Sequence, residues 1–270
     1  MRTFFAAVLM VLSLGWAVQV CWAADARPVP LARAHSHNDY EHARPLLDAL
    51  DAGFCSVEAD IWCIDGQLLV AHDRDKVSPQ RTLEKLYLAP LLERARKYNG
   101  RIYPDGPVFY LLIDFKDNMR RTYDRLRDVL KQYEEMLTVF TPDSTEQKAV
   151  TVIISGNRPI RTMAAESRRL AGVDGRPPDI EKDYSPHVMP WISGSWGSVF
   201  SWKGEGPILE EEQQKLRSMV EQVHANGQMI RFWALPWPQV SWPLLYEAGV
   251  DFINIDDLEA GKAFMLERMK

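Results

Sequence analysis

Short apolar, β-branched runs alternate with helix-patterned stretches about eight times along this chain, and that repeat limits its fold more than any single residue does. Strands are expected at Leu31–Ala34, from Phe54, at Val108–Ile113, Ala149–Ile154, Gln228–Trp233 and Val250–Ile255. Two more short strands fit near Gly172-Val173 and His187–Ile192, inside an irregular stretch rich in Pro and Gly. Between them, helices are expected at Pro45–Ala52, Thr82–Tyr98 with a kink at Pro90, Met119–Leu137, Met163–Leu170, Glu210–Ala225, Trp242–Ala248 and Leu258–Met269. Strand followed by helix, repeated in a chain of 270 residues, suggests one distorted (β/α)8 barrel of the TIM type, a single domain over 24–270. Catalytic groups on that fold sit at the C-terminal ends of strands. His35, Asp114, Asn157, Trp233 and Asp256 fall at such ends, a placement that scattered structural polar residues have no reason to share.

The densest chemistry lies in the stretch FCSVEADIWCIDGQLLVAHD, Phe54 to Asp73. Val57, Ala59 and Ile61 alternate with Ser56, Glu58 and Asp60, so Glu58 and Asp60 share a face about 6–7 Å apart. Two carboxylates that close repel unless a positive group, most simply a divalent cation, lies between them; an exposed acidic face is the other reading. Asp65-Gly66 turns the chain, Leu68–Ala71 returns as a short strand, and His72-Asp73 ends it.

The N-terminus reads as a targeting segment. Arg2 precedes an apolar run from Phe4 to Val20, and Cys21-Trp22-Ala23 offers a cleavage site, so residues 1–23 are expected to be a signal peptide. Export to the periplasm or the extracellular space follows, with no stable membrane span after cleavage. Cys55 and Cys63 would stand about 26 Å apart on a continuous strand, and two buried free thiols are expected. A net charge of −5 argues against a nucleic-acid partner, which would need clustered Lys and Arg.

Taken together, AHSHNDY, SVEADIW, VAHD and LLIDFK, in this order and spacing, resemble the phospholipase C-like phosphodiesterase superfamily. That group includes glycerophosphodiester phosphodiesterases, phosphatidylinositol-specific phospholipases C and the spider-venom phospholipases D. IRFWALP and GVDFINID extend the resemblance more weakly to the last strands. The resemblance implies phosphoric diester hydrolysis on a small phosphodiester or lipid headgroup, with Mg²⁺ or Ca²⁺ held by Glu58, Asp60 and Asp114. It further implies His35 and His72 as general base and general acid. An all-carboxylate donor set suits such hard ions, and histidines move protons near neutral pH.

Lys116 is a candidate phosphate contact and equally an ion-pair partner of Asp114. Asn157 and Arg158 are weaker contacts, and Trp233 either stacks on the substrate or packs in the barrel. His37 and Asn38 would orient or supplement His35; Asp256 would bond a catalytic histidine or cap the last helix. Ser36-His37 replaces the His-Arg-Gly common in glycerophosphodiesterases, and Asp114 stands where those enzymes often have Glu. His35-Ser36-His37 also admits a zinc hydrolase of the amidohydrolase or polymerase-histidinol-phosphatase type, which would need later histidines such as His187 and His224. A non-catalytic exported binding protein on the same barrel is the third reading.

Overall fold

The computed structural model describes residues 27–182 and 184–270; the leader expected at 1–23 lies outside the described residues. Eight parallel strands form the barrel: β1 (Leu31–Ser36), β2 (Phe54–Ile64), β3 (Phe109–Phe115), β4 (Val150–Gly156), β5 (Ala171–Gly175), β6 (Trp191–Ser195), β7 (Met229–Trp233) and β8 (Ile253–Ile255). From β1 to β7 each pairs with its neighbour in sequence, and β8 returns to β1 through Ala34–Ile253 and Ser36–Ile255. The remaining join, β7 to β8, rests on a single bridge between Arg231 and Phe252, so the barrel is nearly rather than evenly closed. At that join the Asp251 carboxylate accepts from the Ile230 N–H at 2.8 Å, where a strand carbonyl would otherwise serve.

The helices are α1 (Leu47–Ala52), α2 (Ala89–Lys97), α3 (Met119–Leu130), α4 (Ile160–Ala164), α5 (Trp196–Val199), α6 (Glu210–Ala225), α7 (Pro238–Glu247) and α8 (Leu258–Arg268). Pro90 does interrupt the regular α-helix, but not as a mid-helix kink: a π turn over Glu84–Leu88 precedes α2, whose first turn accepts the proline. The helix expected at Met163–Leu170 is shorter, because Arg169 leaves it to exchange backbone hydrogen bonds with Phe140 at 2.8 and 2.9 Å. A small antiparallel pair, Val139–Phe140 with Thr145–Glu146, had no signal in the periodicity.

Two apolar layers hold the fold. The larger lies between strands and helices; the smaller, Leu112, Ile153, Trp191 and Phe252 with Tyr110 and Met229 against them, fills the barrel near the start of the strands. Trp191 and Phe252 stack at 4.1 Å between centroids, flooring the interior below the polar groups. β2 runs past the barrel rim and folds back as the strand Gln67–Val70, with Ile61 opposite Val70. Asp65 and Gly66, at φ 48° and 75°, make the two-residue turn whose twist suits that hairpin. Cys55 and Cys63 are buried, unpaired thiols, and burial pushes the Cys55 thiol up to about 12.

Candidate active site

β2 and β3 are in register with Asp60 opposite Asp114, and period two brings Glu58 to the same inner face. One carboxylate oxygen from each of the three lies within 4.8 Å of the others. Burial pushes Asp60 up to about 7, with Glu58 and Asp114 adding repulsion against the opposing charge of Lys116. Burial also raises Asp114, again partly offset by Lys116. The Lys116 ammonium bridges Asp60 Oδ2 at 2.9 Å and Asp114 Oδ1 at 3.1 Å, so of its two readings the structure shows the ion pair. Asp60 Oδ1 is buried with no hydrogen-bond partner, while Oδ2 also receives the Tyr40 hydroxyl at 2.7 Å. An orphaned carboxylate oxygen inside a purely oxygen donor set fits a hard divalent cation.

Glu58, Asp114 and Lys116 line a cavity of about 270 Å³ together with His37, His72 and Trp233. His37, at 24 % side-chain exposure, has Nδ1 at 2.7 Å from Asp256 and Nε2 at 3.6 Å from Glu58. His72 is 57 % exposed at the rim, with Nδ1 at 2.9 Å from Asp73. Asp256 therefore takes the histidine-bonding role, and the cap of α8 falls to Asp257, which accepts from Ala260 N–H.

His35 is placed differently from the expectation. It is fully buried, outside the cavity lining, with Nδ1 at 2.7 Å from Ser56 Oγ and Nε2 at 2.8 Å from an Arg231 Nη1. A guanidinium only donates, so Nε2 accepts and Nδ1 carries the proton to Ser56. Burial first, and then the Arg231 charge, hold its pKa well below 6.5. Enclosed among Ser56, Arg231 and Glu58, the ring is not part of the cavity lining, and His37 occupies the accessible position two residues on. The linkage sign follows. Below pH 6.5 the unfolded chain takes up a proton at His35 that the folded chain refuses, so stability falls as pH drops. Denaturant titration between pH 7 and 5 should show a component of up to about 1.4 kcal/mol per pH unit that His35→Gln removes.

Asn157 also lies away from the cavity lining: its Nδ2 donates to the Asp117 carbonyl at 2.9 Å, tying two loops together. Arg158 donates to the Asp174 carbonyl. Trp233 does face the cavity, with the Arg176 and Arg231 guanidinium carbons 4.9 and 5.8 Å from its ring centroid. Those two arginines line the same cavity; Arg176 lies outside the sequence motifs, and Arg231 lies inside IRFWALP without an assigned role there. Arg176 is fixed by Asp174 Oδ2 at 2.7 Å and Ser155 Oγ at 3.0 Å. Arg231 had a signal: it breaks an apolar strand two residues before Trp233, on the same face. His187 bonds Thr145 and His224 bonds Asp251, neither in the cavity lining, so neither adds a ligand for the zinc reading.

Comparison with known proteins agrees with this architecture. Residues 23–171 match the family described as AIM6-like phosphodiesterase domain. Altered inheritance of mitochondria protein 6 of Eremothecium gossypii is 31% identical over 277 residues, spanning 88% of this chain and 71% of that protein. Its Saccharomyces cerevisiae counterpart is 31% identical over 281 residues, spanning 87% and 70%. A glycerophosphodiester phosphodiesterase from Parabacteroides distasonis superposes with TM-score 0.54 at 16% identity, covering 90% of this chain and all of that one, which shows the shared barrel. The expected periplasmic or extracellular location does not stand. The curated relatives carry a name that refers to mitochondrial inheritance, which does not go with export.

Proposed function

This chain belongs to the AIM6-like phosphodiesterase domain family, in the phospholipase C-like superfamily, and from that premise we propose a metal-dependent phosphodiesterase acting on a small phosphodiester. Its substrates would be of the glycerophosphodiester or phospholipid-headgroup kind. The observation that carries the reading is the meeting of Glu58, Asp60 and Asp114 with two accessible histidines and three cationic side chains around one cavity. Glu58, Asp60 and Asp114 would hold Mg²⁺ or Ca²⁺, which when bound supplies positive charge against a non-bridging phosphate oxygen. Zinc, softer and usually histidine-rich in its ligands, suits this set less well.

The protein's own groups then divide the work. Asp256 fixes the proton on His37 Nδ1, leaving Nε2 free to take the proton of the attacking hydroxyl. His72 donates a proton to the departing alcohol oxygen as the P–O bond breaks. Arg176, Arg231 and Lys116 are the cationic groups an anionic diester would meet there, their charges offset by Glu58, Asp60, Asp114 and Asp174 until a divalent cation is bound. The attacking hydroxyl belongs to water or to a neighbouring group on the substrate.

The test is turnover of bis(p-nitrophenyl) phosphate and of glycerophosphodiesters by the purified chain. EDTA should stop the reaction and Mg²⁺ or Ca²⁺ should restore it. A folded protein with no turnover under either ion would sink the reading and favour a binding role for the barrel.

A further inference from the structure

Asp60, Asp114 and Ser155 stand in one row across the barrel. Asp60 on β2 is the ladder partner of Asp114 on β3, and Asp114 is that of Ser155 on β4. On β5 the next group is Asp174, whose Oδ2 accepts from Ser155 Oγ at 2.8 Å. Asp174 is fully buried, a costly place for a carboxylate unless its partners are well placed. Its charged partner is Arg176, two residues on, which lines the cavity with a quarter of its side chain exposed.

A guanidinium is planar and carries five N–H groups in fixed directions. Both hydrogens of Arg176 Nη1 are engaged, by Asp174 Oδ2 at 2.7 Å and the Gly175 carbonyl at 2.9 Å. Nη2 gives one to Ser155 Oγ at 3.0 Å. Since Oγ and Oδ2 are themselves joined, they grip the end of the guanidinium and leave its side edge. That edge, Nε–H with the neighbouring Nη2 hydrogen, has no acceptor among the described residues. Two parallel donors of this kind match two oxygens of one phosphate. Trp233 covers the guanidinium face at 4.9 Å, and Asp179 Oδ2 holds the Arg176 backbone N–H at 2.8 Å. Arg158 donates to the Asp174 carbonyl. Burial and then the Arg176 charge lower the Arg158 pKa, and the Asp174 charge opposes them. Neutralising Asp174 would let the two guanidiniums repel more strongly.

Building on the phosphodiesterase reading, we propose that Asp174 and Ser155 are positioning residues that hold the Nε/Nη2 edge of Arg176 ready for the substrate phosphate. Asp174 is sealed from the cavity and acts only through the arginine. A buried ion pair that merely tied β4 to β5 would leave phosphate binding indifferent to it.

The experiment follows dimethyl phosphate binding to the full chain with Mg²⁺, by calorimetry and by the Arg176 Nε–H resonance, which Arg176→Lys identifies by its loss. In the wild type dimethyl phosphate should move that resonance. Arg176→Ala and Asp174→Asn should each weaken binding about 10- to 100-fold, and the double variant should be no weaker than either alone. Ser155→Ala keeps the ion pair and serves where Asp174→Asn does not fold; it should weaken binding roughly 3- to 10-fold. Added methylguanidinium should restore binding to Arg176→Ala and fail once Asp174→Asn is also present. The proposal is overturned by losses that multiply in the double variant, or by wild-type affinity in folded Asp174→Asn or Ser155→Ala. It is equally overturned by a wild type that does not bind dimethyl phosphate, or binds it with the resonance unmoved. Binding in the expected pattern without turnover of bis(p-nitrophenyl) phosphate would keep the positioning role and remove the phosphodiesterase reading.

Discussion

His37→Ala should lower kcat/KM for a phosphodiester by a factor on the order of 10²–10⁴ and leave the melting temperature nearly unchanged. Its ring is partly exposed at the cavity wall, and what it gives up is the hydrogen bond to Asp256, the Asn38 amide contact at 3.2 Å on the same Nδ1, and its approach to Glu58. The attacking hydroxyl needs a proton acceptor, and the Nε2 of His37 is an accessible imidazole nitrogen whose tautomer is fixed by a carboxylate on the far side of the ring. His35→Ala makes the contrast. It would leave Ser56, and the Arg231 guanidinium, facing a void, with a stability loss of roughly 1–3 kcal/mol from unsatisfied buried groups. Parallel kinetics and thermal melts on the two variants decide the assignment. If His35→Ala abolishes turnover at full stability while His37→Ala is active, the two histidines exchange roles.

Glu58→Gln should have the second large effect, with opposite signs in two measurements. Losing one of three charged donors is expected to cut turnover about 10³-fold, on the scale of the several kcal/mol a Lewis-acidic ion contributes. Without metal, the same change relieves the repulsion that helps raise Asp60, so the melting temperature should hold or rise. Added Mg²⁺ should raise the melting temperature of the wild type, since a ligand that binds only the folded state stabilises it, and should do so far less in the variant. A Glu58→Gln protein that keeps both its turnover and its Mg²⁺-dependent stabilisation would remove the carboxylate cluster from the mechanism.

Much of this architecture is legible in the sequence because it depends on period and count. Alternation put Glu58 and Asp60 on one face, and the apolar run ending at Asp114 marked a buried parallel strand whose last polar residue meets Asp60 across the ladder. The eightfold repeat pointed to the barrel. Depth was not legible. His35 and His37 have the same parity, so periodicity treats them alike, yet one sits above the Trp191 floor and the other at the rim. Nor could spacing show that Arg231 reaches over the β7–β8 join to Asn254 and His35, or that Arg176, after a Gly-rich strand in the least regular stretch, turns into the cavity. The Arg231–His35 contact joins opposite ends of the chain, and only closure of the ring creates it. Asn157 shows the same limit: it stands at a strand end, and its amide ties two loops outside the cavity lining.

The slack join between β7 and β8 has a consequence for how the two sides of the site are toleranced. On one lip stand Arg231 and Trp233; across it lie Asp256 and, one strand further, His37. The barrel's loosest stave thus coincides with the dividing line between the arginine and the histidine to which the proposed mechanism gives anion attraction and proton transfer. The gap is spanned by a latch of side chains, Arg231 to Asn254 and His35, beside the few backbone bonds at Ile230. A buried histidine and asparagine, outside the cavity lining, act as the gauge block for the fit between the two lips.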